Sequence, residues 1–155
     1  MKEKYMKEAL KEALKAKQKD EVPVGAVIVL NDKIIARGHN KRETNKNSLC
    51  HAEIIAINKA CKKVKNFRLE NCELYVTLEP CLMCAGAIVQ ARIKKVVYGA
   101  SDNKYGMAGT VFNAFELKSN HRVEVEKDVL KDECSEILTS FFKEMREKGK
   151  TKNKQ

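Results

Sequence analysis

Apolar residues recur at helical spacing near both ends of the chain, and between those ends they form short unbroken runs. Met6, Ala9, Leu10, Ala13 and Leu14 repeat at three- and four-residue intervals, which predicts an amphipathic helix over residues 3–18 with a lysine-rich outer face. The period then changes. Residues 24–30 are β-branched and apolar, Asn31-Asp32 is a turn pair, and 33–37 resumes as a second strand, the pattern of an antiparallel hairpin. The polar stretch HNKRETNKNS at 39–48 has no period and predicts a loop feeding a helix over 50–61. Residues 73–78 read as a strand, 81–91 as a helix and 95–99 as another strand, which together make a right-handed parallel crossover. A fifth strand is predicted over 122–126. Leu130, Cys134, Ile137, Leu138, Phe141, Phe142 and Met145 then mark a C-terminal helix. This order predicts an α/β fold, a mixed five-stranded sheet with helices on both faces.

A chain of 155 residues with 43% hydrophobic residues has room for one core and needs no disulfide staple. No internal repeat is present. We expect a single domain over 1–148 and a basic, disordered tail over 149–155. The first residues, MKEKYMKEAL, lack an apolar signal-like core, and the longest nearly apolar run, 22–30, is too short to span a bilayer. A cytoplasmic protein without membrane association is therefore expected. The net charge of +10 attracts phosphate backbones, with local concentrations at 58–68 and 143–155. However, 25 of the 31 cations are Lys, beside 11 Asn, a composition that coding bias also produces. Charge alone therefore does not assign a nucleic-acid partner.

Six cysteines in a cytoplasmic chain point to metal or redox chemistry rather than bridges, and Cys81 and Cys84 have C-x-x-C spacing. Cys50, Cys61, Cys72 and Cys134 lie in apolar or helical patterns, where a free cysteine packs as a small hydrophobe. Gly99, Gly106 and Gly109 have neither Walker nor dinucleotide spacing.

Two segments carry chemistry: His51-Ala52-Glu53 and Pro80-Cys81-Leu82-Met83-Cys84, each at a predicted helix start. Residues three apart on a helix share a face, so Cys81 and Cys84 can direct both sulfurs at one metal. Pro80 suits the first helical position, and the positive helix end favours thiolates. With the imidazole of His51 they form a three-ligand set suited to zinc, with the fourth corner open. Glu53 lies about 200° round a regular helix from His51, so the two cannot approach one metal from mid-helix positions. They must lie at the helix end, where the carboxylate can miss the metal and reach the open corner as a proton shuttle. A structural site closed by Cys50 or another cysteine is the competing reading, and it leaves Glu53 without a role. Together the segments match the H-x-E…P-C-x-x-C signature of zinc-dependent nucleobase deaminases.

Beyond these motifs, EVPVGAVIV at 21–29, GHN at 38–40, LYVTLEPCLMCAGAI at 74–88, GASDNKYG at 99–106, NHRVEV at 120–125 and the DEC…FF helix resemble the bacterial-type tRNA adenosine deaminases. The likeness covers about residues 21–142. It departs at Leu49-Cys50, where the family has a small pair, and at Lys143, where many members have Arg. The resemblance implies a cytidine-deaminase-like three-layer α/β/α sandwich, a homodimer, one zinc per chain, and hydrolysis of the wobble adenosine of a tRNA anticodon stem-loop to inosine. It further implies His51, Cys81 and Cys84 as metal ligands, with Glu53 moving protons for a zinc-activated water. Asn40 would contact the target nucleotide, Val24 and Leu78 the base, and Asp102 and Lys104 the neighbouring nucleotides. The backbone of Ala52 and Cys81 would complete the pocket. The competing expectation is a deaminase of free guanine, cytosine or deoxycytidylate on the same scaffold.

Overall fold

The computed structural model describes residues 2–153. Helix α1 (Lys2–Gln18) leads into a hairpin of β1 (Gly25–Leu30) and β2 (Lys33–His39). The hairpin turn, Asn31-Asp32, has φ of 51° and 62°, the left-handed pair that a tight two-residue turn needs and that Asn and Asp tolerate. Next come α2 (Ala52–Val64), β3 (Glu73–Leu78), α3 (Leu82–Gln90) and β4 (Lys95–Ala100). A short 3-10 turn (Ala114–Glu116), β5 (Glu124–Glu126) and α4 (Lys131–Asn153) follow. The sheet order is β2-β1-β3-β4-β5, with β1 antiparallel to β2 and β3, and β3, β4 and β5 mutually parallel.

The central strands alternate between two cores. Ala26, Ile28, Leu74, Val76, Val96 and Tyr98 face α2 and α3, where they meet Ala52, Ala56, Ala85 and Ile88. Val27, Val29, Tyr75 and Val97 face α1 and α4, where they meet Tyr5, Met6, Ala9 and Cys134. Both faces of the sheet are thus buried, which is why these strands read as continuous apolar runs. Each fully buried Val or Ile among them contributes about 1.5–3 kcal/mol relative to exposure. The expected α/β/α sandwich with a mixed five-stranded sheet is what forms.

The structure moves several boundaries. Both site helices begin one or two residues later than the apolar pattern placed them, at Ala52 and Leu82, because His51 and Cys81 have extended backbone and act as N-caps. Strand β5 spans three residues rather than five, since its pairing with β4 is limited to Lys95–Val97. Helix α4 passes Gly149, where a disordered tail was expected to begin, and continues to Asn153. A single glycine costs a helix only about 1 kcal/mol relative to alanine. Residues 154 and 155 of that tail lie outside the described residues. Of the four cysteines expected in the core, Cys72 and Cys134 are buried, while Cys50 and Cys61 are half-buried.

One close approach positions the site. A Cβ at Gly38 would lie 2.5 Å from the Ala52 carbonyl oxygen and 2.8 Å from the Ala56 nitrogen. Only glycine therefore lets the first turn of α2 rest on β2, and that contact fixes where His51 sits.

Candidate active site

The N-termini of α2 and α3 converge on one cleft. Neither N-cap side chain caps its own helix: His51 (φ −74°, ψ 156°) and Cys81 (φ −79°, ψ 179°) make no side-chain capping bond. A Ser or Asp at these positions would turn back onto the helix N–H groups. Here the imidazole and thiol are free to point into the cleft, together with the positive ends of two helices.

His51 Nδ1 lies 3.7 Å from Cys81 Sγ and 3.6 Å from Cys84 Sγ, and the donor atoms of the three residues all lie within 4.8 Å of one another. Tetrahedral zinc, with Zn–S of about 2.3 Å and Zn–N of about 2.0–2.1 Å, requires N···S separations of about 3.6 Å. The geometry and the soft donor set therefore fit zinc. Among the described residues Cys50 is outside this group. Its sulfur accepts from Asn45 Nδ2 at 3.6 Å, so the closed four-ligand reading finds no fourth donor.

Electrostatics within the cluster set the two thiols apart. The hydrogen bond from the Cys84 thiol, helped by His51, holds Cys81 down to about 4. The same bond and burial push Cys84 up, so Cys81 is the sulfur favoured as thiolate. Glu53, in the first turn of α2, is 4% exposed. Burial, reinforced by the charge of Cys81, raises its carboxyl to about 7, opposed by its own backbone amide and by His51. A group poised there can both take and give a proton near neutrality.

The cleft above this cluster has a volume of about 550 Å³. Of the residues expected from the sequence, Val24, Asn40, His51, Ala52, Glu53, Leu78, Cys81 and Asp102 line it. Cys84 is buried beneath. Asn40 is held at both ends of its amide, donating from Nδ2 to the Val22 carbonyl at 3.2 Å and accepting from the Arg42 N–H at 3.1 Å. Asp102 accepts the N–H groups of Lys104 and Tyr105 at 2.9 and 3.0 Å, forming a tight turn. Lys104 is exposed and does not line the cleft, so the structure separates it from the other expected residues.

Sequence reasoning missed Val22, Arg42, Glu79, Leu82, Met83, Tyr105 and Met107, which also line the cleft. Leu82 and Met83 had a signal, since they lie between Cys81 and Cys84. Glu79 had a weaker one: it is the single acid in the otherwise apolar or small stretch 74–88. It is 2% exposed. Arg42, Tyr105 and Met107 sit in aperiodic loops and had none.

Residues 1–146 match the MafB19-like deaminase family. A tRNA-specific adenosine deaminase of Bacillus subtilis is 54% identical over 151 residues, covering 97% of this chain and 94% of that protein. A solved structure from work on A-to-I editing by tRNA:A34 deaminases at the wobble position superposes with a TM-score of 0.83 at 42% identity. It covers 86% of this chain and 98% of its own. The guanine deaminase of Bacillus subtilis, at 37% identity and a TM-score of 0.63, covers 77% and 80% respectively.

Proposed function

Because the chain belongs to the MafB19-like deaminases, among the tRNA-specific adenosine deaminases of that family, we propose that it hydrolyses the wobble adenosine of a tRNA anticodon loop to inosine. The observation that carries this reading is a buried carboxyl, Glu53, beside a three-donor metal cluster on the floor of a base-sized cleft. The proposed cofactor is one zinc per chain, held by His51, Cys81 and Cys84. When bound, zinc supplies Lewis-acid activation of water, lowering the water's pKa to near 7.

The chain's own residues do the rest. With zinc bound, Glu53 would take one proton of the water and deliver it to adenine N1, so that C6 accepts the water's oxygen. The same carboxyl would then take the remaining hydroxyl proton and pass it to the amino nitrogen, which leaves C6 as ammonia. Val24 and Leu78 close over the faces of the ring and exclude bulk water. The N–H groups of Ala52 and Cys81, at the two helix starts, hold the polar edge of the base. Asn40, its amide already oriented by Val22 and Arg42, contacts the target nucleotide. The loop bearing Asp102 and Lys104 reaches the neighbouring nucleotides. An anticodon loop suits this arrangement because its bases are already unpaired, so presenting one costs less than opening a duplex.

A homodimer and a cytoplasmic location belong to the same proposal. No helix among the described residues is long and apolar enough to cross a membrane. The experiment is to incubate zinc-loaded protein with an adenosine-containing anticodon stem-loop, with free adenine and with free guanine, and to follow inosine, hypoxanthine and xanthine. Inosine in the stem-loop, with little turnover of free bases, is expected. Faster turnover of a free base would replace this reading with the free-base one.

A further inference from the structure

Glu79 lies between the cleft wall residue Leu78 and the metal-binding segment that begins at Pro80 and Cys81. Its carboxylate is buried, and among the described residues no Lys, Arg or His forms an ion pair with it. Its charge is met instead by donors from one loop. Oε1 accepts from the Asp102 N–H at 3.1 Å and from the Thr110 hydroxyl. Oε2 accepts from the Ala108 N–H at 2.9 Å and the Thr110 N–H at 3.1 Å. Two further backbone bonds join the same segments: Glu79 N–H to the Ala100 carbonyl at 2.9 Å and Met107 N–H to the Pro80 carbonyl at 2.9 Å. Three residues of this loop, Asp102, Tyr105 and Met107, line the cleft.

Gly106 is an independent sign of the same arrangement. A Cβ there would lie 2.5 Å from the Glu79 carboxylate carbon, 2.5 Å from its Oε1 and 2.5 Å from the Asp102 carbonyl oxygen. The loop is thus wrapped so closely around the carboxylate that no side chain fits at its nearest point.

We infer that Glu79 is the positioning residue that holds loop 101–110 in the shape that grips the nucleotides beside the target base, and thereby sets affinity and sequence context. The inference rests on the tRNA reading above. Four donors on one carboxylate saturate its two oxygens, and a single buried residue thus ties the substrate loop to the strand end that carries the metal ligands. Glutamine keeps the size but replaces one acceptor oxygen with an NH₂, which must face two of those donors. Glu79→Gln should therefore release one side of the loop while leaving His51, Glu53, Cys81 and Cys84 in place.

The test is steady-state deamination by Glu79→Gln of an anticodon stem-loop and of stem-loops altered at the bases flanking the target, together with zinc content. The expected result is one zinc per chain and a loss that falls on KM, rising tenfold or more, rather than on kcat, with weaker discrimination among flanking bases. A fall in kcat at unchanged KM, or unchanged KM and context preference with only a lowered melting temperature, overturns the inference. Should Glu79→Gln fail to fold, Thr110→Val, which removes one of the four donors, should raise KM by a smaller factor, and unchanged KM there overturns it equally. Amide hydrogen exchange separates the two levels. If the wild type makes no inosine, the function is wrong. The loop claim is then still decided by whether the exchange of Ala108 and Thr110 accelerates in Glu79→Gln more than that of β3.

Discussion

Glu53 is assigned several proton transfers, and its burial suits it to each. Glu53→Gln should retain zinc and fold while losing turnover by a factor of roughly 10² to 10⁴, read by metal analysis and inosine formation on the same preparation. A second buried titratable group lies away from the cleft. His39 Nδ1 meets Glu12 Oε1 at 3.2 Å, while its Nε2 is buried with no hydrogen-bond partner. Burial lowers the His39 pKa below 6.5, assisted by Lys19 and Lys41 and resisted by Glu12. Protonation would bury an N–H with no acceptor. Since the unfolded chain binds this proton more readily, stability is lost as pH falls from 6.5 through the folded value. For Glu12 burial works upward, but bonds from Lys15 and His39 outweigh it, so its contribution persists above 4.5 and is lost only below. Urea titrations at pH 7 and 5.5 should show the wild type weakening more than His39→Gln. Equal weakening of the two would exclude His39 as the cause.

At the scale of elements, the contact between α2 and β2 is the sensitive joint. Gly38→Ala places a methyl group against the Ala52 carbonyl, so the first turn of α2 must lift. Overpacking of this kind costs about 1–3 kcal/mol. We expect a lower melting temperature together with weaker zinc retention against a chelator, because His51 moves with that turn. The period of the apolar residues made the helices and strands legible, and the spacing of His51, Glu53, Cys81 and Cys84 made their convergence on one cleft legible. Helix starts were less so, because His51 and Cys81 occupy N-cap positions without being capping residue types, and the apolar pattern runs on past them. The pinning of loop 101–110 by Glu79 was not legible at all. Its bonds join positions 23 to 31 apart in the chain, in a segment with no period to suggest a partner.

For the molecule as a whole, the charge of +10 makes a salt-dependent prediction. Binding to an anticodon stem-loop should weaken with salt at about 0.7 in log affinity per phosphate neutralised on single-stranded RNA. Lys104→Ala should make that slope shallower by about the same amount, measured by titration at several salt concentrations. An unchanged slope would remove Lys104 from the interface. The position of the two N-caps also matters to the chain before it folds. His51 and Cys81 are 30 residues apart in sequence and face one another across adjacent helices, with β3 entirely inside the interval. A metal held by both would span the strand between α2 and α3. Because the unfolded chain does not present this site, the metal's binding free energy would add to the folding free energy, about 2.7 kcal/mol at a free concentration of 100 times Kd. Chelation should therefore lower the melting temperature on the order of 10 °C, and equally in Glu53→Gln, so that the proposed catalytic ion would also be a clasp on the sheet's central strand.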